Sequence, residues 1–135
     1  MNKLESAHVQ LVREYIDALQ SGSPSDALRR FFTPDVLQVD LPNRFNPNGN
    51  ESNLEALLQR VEQGRKLTRD QRYKMQSCVE QDHRIAVEAL WSGTLNSPLG
   101  TIVAGTTLRG HFAMFFEMQD GKIFRQRNYD CFEPW

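Results

Sequence analysis

The chain has 135 residues, a formal net charge of -1 and 24% charged residues, which suits one domain around one core, over residues 1–135. Its Lys and Arg residues are scattered, no apolar run is long enough for a membrane, and the opening MNKLESAHVQ lacks the apolar core of a signal peptide. A cytoplasmic protein with no nucleic-acid or membrane partner is expected.

Ser6 to Leu19 reads as a helix, because Val9, Val12, Ile16 and Leu19 repeat at three- and four-residue spacing with Tyr15 beside that stripe. The SGS segment ends it. Ser23-Pro24, a capping residue before the proline favoured at a first helical position, predicts a short second helix over 24–32 that buries Ala27, Leu28, Phe31 and Phe32. Pro34-Asp35 breaks it. Residues 36–41 alternate as a strand, with Val36, Gln38 and Asp40 on one face and Leu37, Val39 and Leu41 on the other. PNRFNPNGNES is a loop by its Pro, Asn and Gly content. Leu54, Leu57, Leu58 and Val61 then return to helical spacing and predict a third helix from Asn53 to about Lys66.

From there the period is two. Residues 72–80 set Tyr73, Met75 and Val79 against Arg72, Lys74, Gln76 and Cys78, and residues 85–94 set Ile85, Val87, Ala89 and Trp91 against Ala86, Glu88, Leu90 and Ser92. After a long connection, TLRGHFAMFFEMQ and KIFRQRNYDCFEPW flank Asp120-Gly121, a strong hairpin signal. On the second arm Gln126, Asn128 and Asp130 share a face opposite Ile123, Arg125, Arg127 and Tyr129. Polar groups covering an apolar strand either meet water or line a cavity, since burying them unpaired is costly. A cavity is expected here. Helices first and an antiparallel meander last, in the order α-α-β-α-β-β-β-β, is an α+β pattern. Cys78 and Cys131 are too few for a disulfide framework, and neither they nor the dispersed His8, His83 and His111 have metal-ligand spacing. No metal is expected.

Three stretches resemble the nuclear transport factor 2-like superfamily, which includes ketosteroid isomerases and SnoaL-like polyketide cyclases. They are REYIDALQSG, FFTPDVLQVDLP, and AVEALWSGT followed by FEMQDGKI and NYDCF. The resemblance spans nearly the whole chain in the same order of elements. It implies a cone-shaped α+β barrel, three N-terminal helices packed on a curved, mostly antiparallel sheet that encloses a pocket, in a homodimer joined through the outer sheet face. By position, Tyr15 matches the isomerase tyrosine that donates to the substrate oxygen, and Asp40 the aspartate that shuttles the proton. Where those isomerases carry a second oxyanion donor on the penultimate strand, counting back from the turn gives Ala113, so that hole is incomplete. His111, two residues earlier on the same face, is the candidate replacement. Asp130 stands where SnoaL-like cyclases place an acid-base aspartate.

The expected catalytic set is therefore Asp40, Asp130, Tyr15 and His111. The expected pocket wall is Trp91, Phe115, Ala113, Gln126, Asn128 and Ala89, with Trp91 and Phe115 selecting an apolar, ring-sized ligand. The implied chemistry is proton transfer next to a carbonyl in a small apolar compound, without cofactor, which needs a base over the carbon and a donor where oxygen gains charge. Either aspartate suits the base. Asp130 has the alternative of an ion pair with Arg109, Arg125 or Arg127, and the domain has the alternative of a non-catalytic binding or dimerisation module.

Overall fold

The computed structural model describes residues 5–135; the first four residues of the segment read for a signal peptide lie outside the described residues. Among the described residues there are three helices and six strands. Helix α1 (Ala7–Ser21) starts where the Ser6 hydroxyl accepts from the Val9 N–H and stops at Gly22, whose φ of 78° is left-handed. A 3-10 helix (Ser25–Phe31) follows and runs straight into β1 (Phe32–Asp40). Pro34 therefore lies inside a strand instead of breaking a helix. It is tolerated because the β1 ladder is interrupted between Phe32 and Leu37, where a missing N–H costs little.

Strand β2 (Asn50–Ser52) was not expected from its polar sequence; its pairing with β1 makes it a strand. Helix α2 (Leu54–Leu67) is capped by Asn53, and β3 (Thr68–Gln81), β4 (Arg84–Leu95), β5 (Thr107–Gln119) and β6 (Lys122–Phe132) complete the chain. The strands stand in the order β2-β1-β6-β5-β4-β3, with β1 parallel to β6 and all other neighbours antiparallel. The sheet is curved and unclosed, and the helices fill its concave face. Val12, Leu28, Phe31, Leu57, Ile85 and Phe116 are among the core residues, while Trp91, Leu95 and Leu108 form a second cluster. This is the α+β architecture anticipated above.

Side-chain phase decides what reaches the concave face. Strand β4 keeps the expected faces, with Ile85, Val87, Ala89 and Trp91 inward. Strand β5 does not: Leu108, Met114, Phe116 and Met118 are buried, so His111, Ala113 and Phe115 point outward. In β6, Phe124 is an extra residue between the pairs Met118–Ile123 and Glu117–Arg125, so both Ile123 and Gln126 face inward. Gln76 plays the same part in β3, turning Cys78 toward the core and leaving Val79 63% exposed. Such bulges shift the alternation without any mark in the hydrophobic pattern. The β5–β6 turn is as expected, Asp120 and Gly121 both adopting positive φ (53° and 75°).

Among the described residues no helix is long and apolar enough to cross a membrane, and no three His, Cys, Asp or Glu are grouped to hold a metal. His8 and His83, remote in sequence, stand with ring centroids 6.3 Å apart.

Candidate active site

Strand register assembles the site. Along the parallel β1–β6 pair, Gln38 lies beside Gln126 and Asp40 beside Asn128. Across β5–β6, Phe116, Met114 and Phe112 lie beside Gln126, Asn128 and Asp130. Paired residues share a face, so a polar row is laid on the concave side next to an apolar one. Helix α2 closes the space with Leu57, Arg60, Val61 and Gly64, which one helical face carries, and α1 adds Tyr15. The result is a chamber of about 240 Å³.

Its hydrogen bonds run in one direction. Gln38 Nε2 donates to Gln126 Oε1 (3.1 Å), Gln126 Nε2 to Asn128 Oδ1 (2.9 Å), and Asn128 Nδ2 to Asp40 Oδ1 (2.9 Å). Arg60 Nη2 donates to the other Asp40 oxygen (3.0 Å). Both oxygens of Asp40 therefore have donors, one of them charged. The Tyr15 ring is wedged among Phe31, Phe32 and Phe116, with centroids 5.6, 5.2 and 6.2 Å away. Burial pushes its phenol up to about 12, the neighbouring Gln126 and Gln38 side chains drawing it partly back. Near neutral pH it remains a hydrogen-bond donor.

Asp130 is the contrast. No donor among the described residues reaches its carboxylate, which borders the chamber. The proposed ion pairs do not form: Arg127 is bonded to Glu117 (3.1 Å), Arg125 to the backbone oxygens of Asp35 and Phe124, and Arg109 lies on the outward phase of β5. Burial, and then the nearby Asp40 charge, push the Asp130 carboxyl up to about 7, while Arg60 holds it partly back. One cavity thus holds two carboxylates in unlike environments, an arrangement that separates acid-base roles.

A second, aromatic space adjoins the chamber. This annex of about 180 Å³ is walled by Phe45, Leu67, Trp91 and Phe132, and shares Gly64, Gln71, Tyr73 and Phe112 with the chamber. Trp91 stacks on Phe112 (5.4 Å, 11°), and Phe132 meets both rings edge-on. The indole N–H of Trp91 donates to Gln71 Oε1 (3.1 Å).

Of the residues expected from sequence, Tyr15, Asp40, Asp130, Gln126 and Asn128 border the chamber and Trp91 the annex. Four do not. His111, Ala113 and Phe115 are on the outer face because the phase of β5 is the reverse of that assumed; the His111 side chain is 60% exposed, with Nε2 3.0 Å from a Glu133 oxygen. Phe115 packs edge-on against Tyr129 at 5.5 Å. Ala89 faces inward but is buried in the main core. The inward residues at that level of β5 are Phe112 and Met114, neither of which donates, so a second side-chain oxyanion donor is missing from that strand. Gln38, Arg60, Gln71 and Tyr73 were not anticipated as site residues. Gln38 shares a strand face with Asp40, and Arg60 a helical face with Leu57 and Val61, so periodicity signalled both. Gln71 enters through an irregularity between Arg69 and Arg72, with Asp70 at φ 53°, and the sequence carries no comparable sign of it.

A helix-filled, curved α+β sheet around such a cavity defines the nuclear transport factor 2-like class. Within it, the chain belongs to the SnoaL-like domain family, whose model matches residues 12–126. No curated protein matches the chain. Solved structures of the same fold include IdmH, a candidate polyketide cyclase from Streptomyces antibioticus, at 18% identity over 91% of each chain with a TM-score of 0.77. A candidate polyketide cyclase from Xanthomonas campestris pv. campestris is 23% identical over 91% of this chain and 89% of that one, TM-score 0.74. A candidate SnoaL-like polyketide cyclase from Jannaschia sp. CCS1 is 16% identical over 96% and 91%, TM-score 0.76. At these identities the likeness is one of fold.

Proposed function

We propose that the chain is a cytoplasmic acid-base enzyme of cyclase or isomerase type, acting without cofactor on a small, largely apolar compound that bears a carbonyl or hydroxyl group. The observation that carries this reading is the unpartnered Asp130, pushed up to about 7 beside an Asp40 whose two oxygens are both engaged. A base with an affinity for protons near the working pH is the most effective one. Ionised Asp130 takes a proton from the carbon next to a carbonyl, and the Tyr15 hydroxyl donates to the oxygen where the charge gathers. The carbanion then recovers the proton from Asp130 at a second carbon, which is isomerisation, or closes on a second carbonyl of the same molecule, whose oxygen takes that proton, which is aldol cyclisation. The candidate-cyclase descriptions of the fold relatives support this class.

The test is deuterium exchange of a panel of cyclic ketones in D2O, followed by proton NMR. Wild-type protein is expected to accelerate exchange next to the carbonyl, with a rate that rises through about pH 7, and Asp130→Asn to abolish the acceleration. Equal exchange by both proteins would sink the proposal. The second reading, a binding module of the same fold, draws on Phe112 and Met114, which leave β5 without an oxyanion donor; it predicts ketone binding without exchange. In either reading two copies join through the outer sheet face, where Val79, Phe115 and Tyr129 are exposed apolar or aromatic side chains.

A further inference from the structure

The annex and the chamber meet at Gly64, Gln71, Tyr73 and Phe112, one strand across from a carboxylate. Phe112 is the cross-strand partner of Asp130 and walls both spaces, so an aromatic pocket opens beside Asp130. What that pocket can offer a guest is narrow. The indole N–H of Trp91 is already engaged by Gln71, so the walls offer the ring surfaces of Phe45, Tyr73, Trp91, Phe112 and Phe132, with the Gln71 amide and the Tyr73 hydroxyl at the border with the chamber. Aromatic faces carry negative potential and attract cations, most strongly where water is excluded. Charges in the chamber point the same way. Arg60 is paired with Asp40, and Arg65 donates to the backbone oxygens of Ser23 and Ala18. Asp130 has no such partner among the described residues.

We infer that the joined cavities take an organic cation, a compound whose tertiary or quaternary ammonium head sits among the annex rings beside Asp130. The inference rests on the reading of this cavity as a ligand site and names the ligand class for it. An anionic guest would meet two carboxylates. A neutral ring would fill the annex but leave the Asp130 charge unanswered. A bound ammonium group answers that charge and favours the ionised form of Asp130.

Benzyltrimethylammonium and neopentylbenzene have the same shape and differ in charge. Their binding can be followed by indole fluorescence in the full chain carrying Trp135→Phe, which leaves Trp91 as the remaining one of two tryptophans. At about pH 8 the cation is expected to bind at least about tenfold more tightly than its neutral twin, and the preference to fall to within about twofold when Asp130→Asn is added. Equal or tighter binding of the neutral compound overturns the inference, as does binding of neither, whatever the second substitution does to folding. A cation preference unchanged by Asp130→Asn overturns it too. None of these outcomes bears on ketone exchange or on the titration of Asp130 in the ligand-free protein, so the proton-transfer reading is judged separately.

Discussion

Replacing Asp130 by asparagine removes a carboxylate that the fold holds partly out of water and close to another. An ordinary aspartate titrates near 3.8, and in the folded chain this one is pushed up to about 7, by burial first and by Asp40 second. Between those values the folded state binds the proton more tightly than the unfolded chain does. The sign follows: the contribution is fully present below about pH 4 and is lost as pH rises through about 7. Roughly three pH units correspond to about 4 kcal/mol; because the chamber opens to water, which screens the ionised form, about 2–4 kcal/mol is the expected loss. Asparagine has nearly the same shape and no charge to desolvate. The unfolding free energy of Asp130→Asn minus that of wild type should therefore rise by about 2–4 kcal/mol between pH 4 and 8, the other carboxylates being common to both proteins. Urea unfolding at a series of pH values measures this directly. A difference that is flat with pH, or that shrinks as pH rises, would refute the reasoning.

Other substitutions separate stability from the site. Gly64 borders both cavities within α2, and a methyl group there would meet nothing within 4 Å; Gly64→Ala should stabilise the chain by about 0.5–1 kcal/mol in thermal melts while weakening ring-sized ligands in fluorescence titrations. Gln126 is 2% exposed and links Gln38 to Asn128. Gln126→Leu leaves a donor on one and an acceptor on the other without partners, at about 1–3 kcal/mol each, so urea unfolding should show a loss that Gln119→Leu on the exposed end of β5 does not. If copies join through the outer face, wild type sediments as a dimer and Phe115→Glu, at a side chain 39% exposed, as a monomer; a monomeric wild type contradicts that interface.

Much of the architecture could be read from local chemistry. Ser6 and Gly22 bound α1 as capping residues should, and Asp120-Gly121 makes the turn its backbone preferences dictate. Helix α2 is capped by Asn53 and not by Asn50 or Ser52, the caps read from sequence. The α2 stripe and the β4 alternation placed Leu57, Val87 and Trp91 correctly. The site was legible where one strand face sufficed: Gln126, Asn128 and Asp130 recur at two-residue spacing, and Asp40 shares a face with Gln38. It was not legible where apolar residues occupy both faces. The run FAMFF in β5 places Phe112, Met114 and Phe116 inward and Phe115 outward, so hydrophobicity cannot set its phase, and His111 and Ala113 were assigned to the wrong side. Bulges at Gln76 and Phe124 are set by cross-strand geometry, and β2 exists through its pairing with β1. The partners of Asp40 lie far along the chain, on α2 and β6, and only the register of β1 against β6 brings Asn128 to it.

The claim on which the proposed chemistry depends is that Asp130 holds its proton near neutral pH because burial and the nearby Asp40 outweigh the pull of Arg60. Carbon-detected NMR titration of the side-chain carboxyls, assigned with Asp130→Asn and Asp40→Asn, measures it in the intact protein. The predicted result is an Asp130 carboxyl titrating at about 7, moved when a ligand fills the cavity. An Asp130 carboxyl that titrates in the ordinary aspartate range in the ligand-free protein would contradict it.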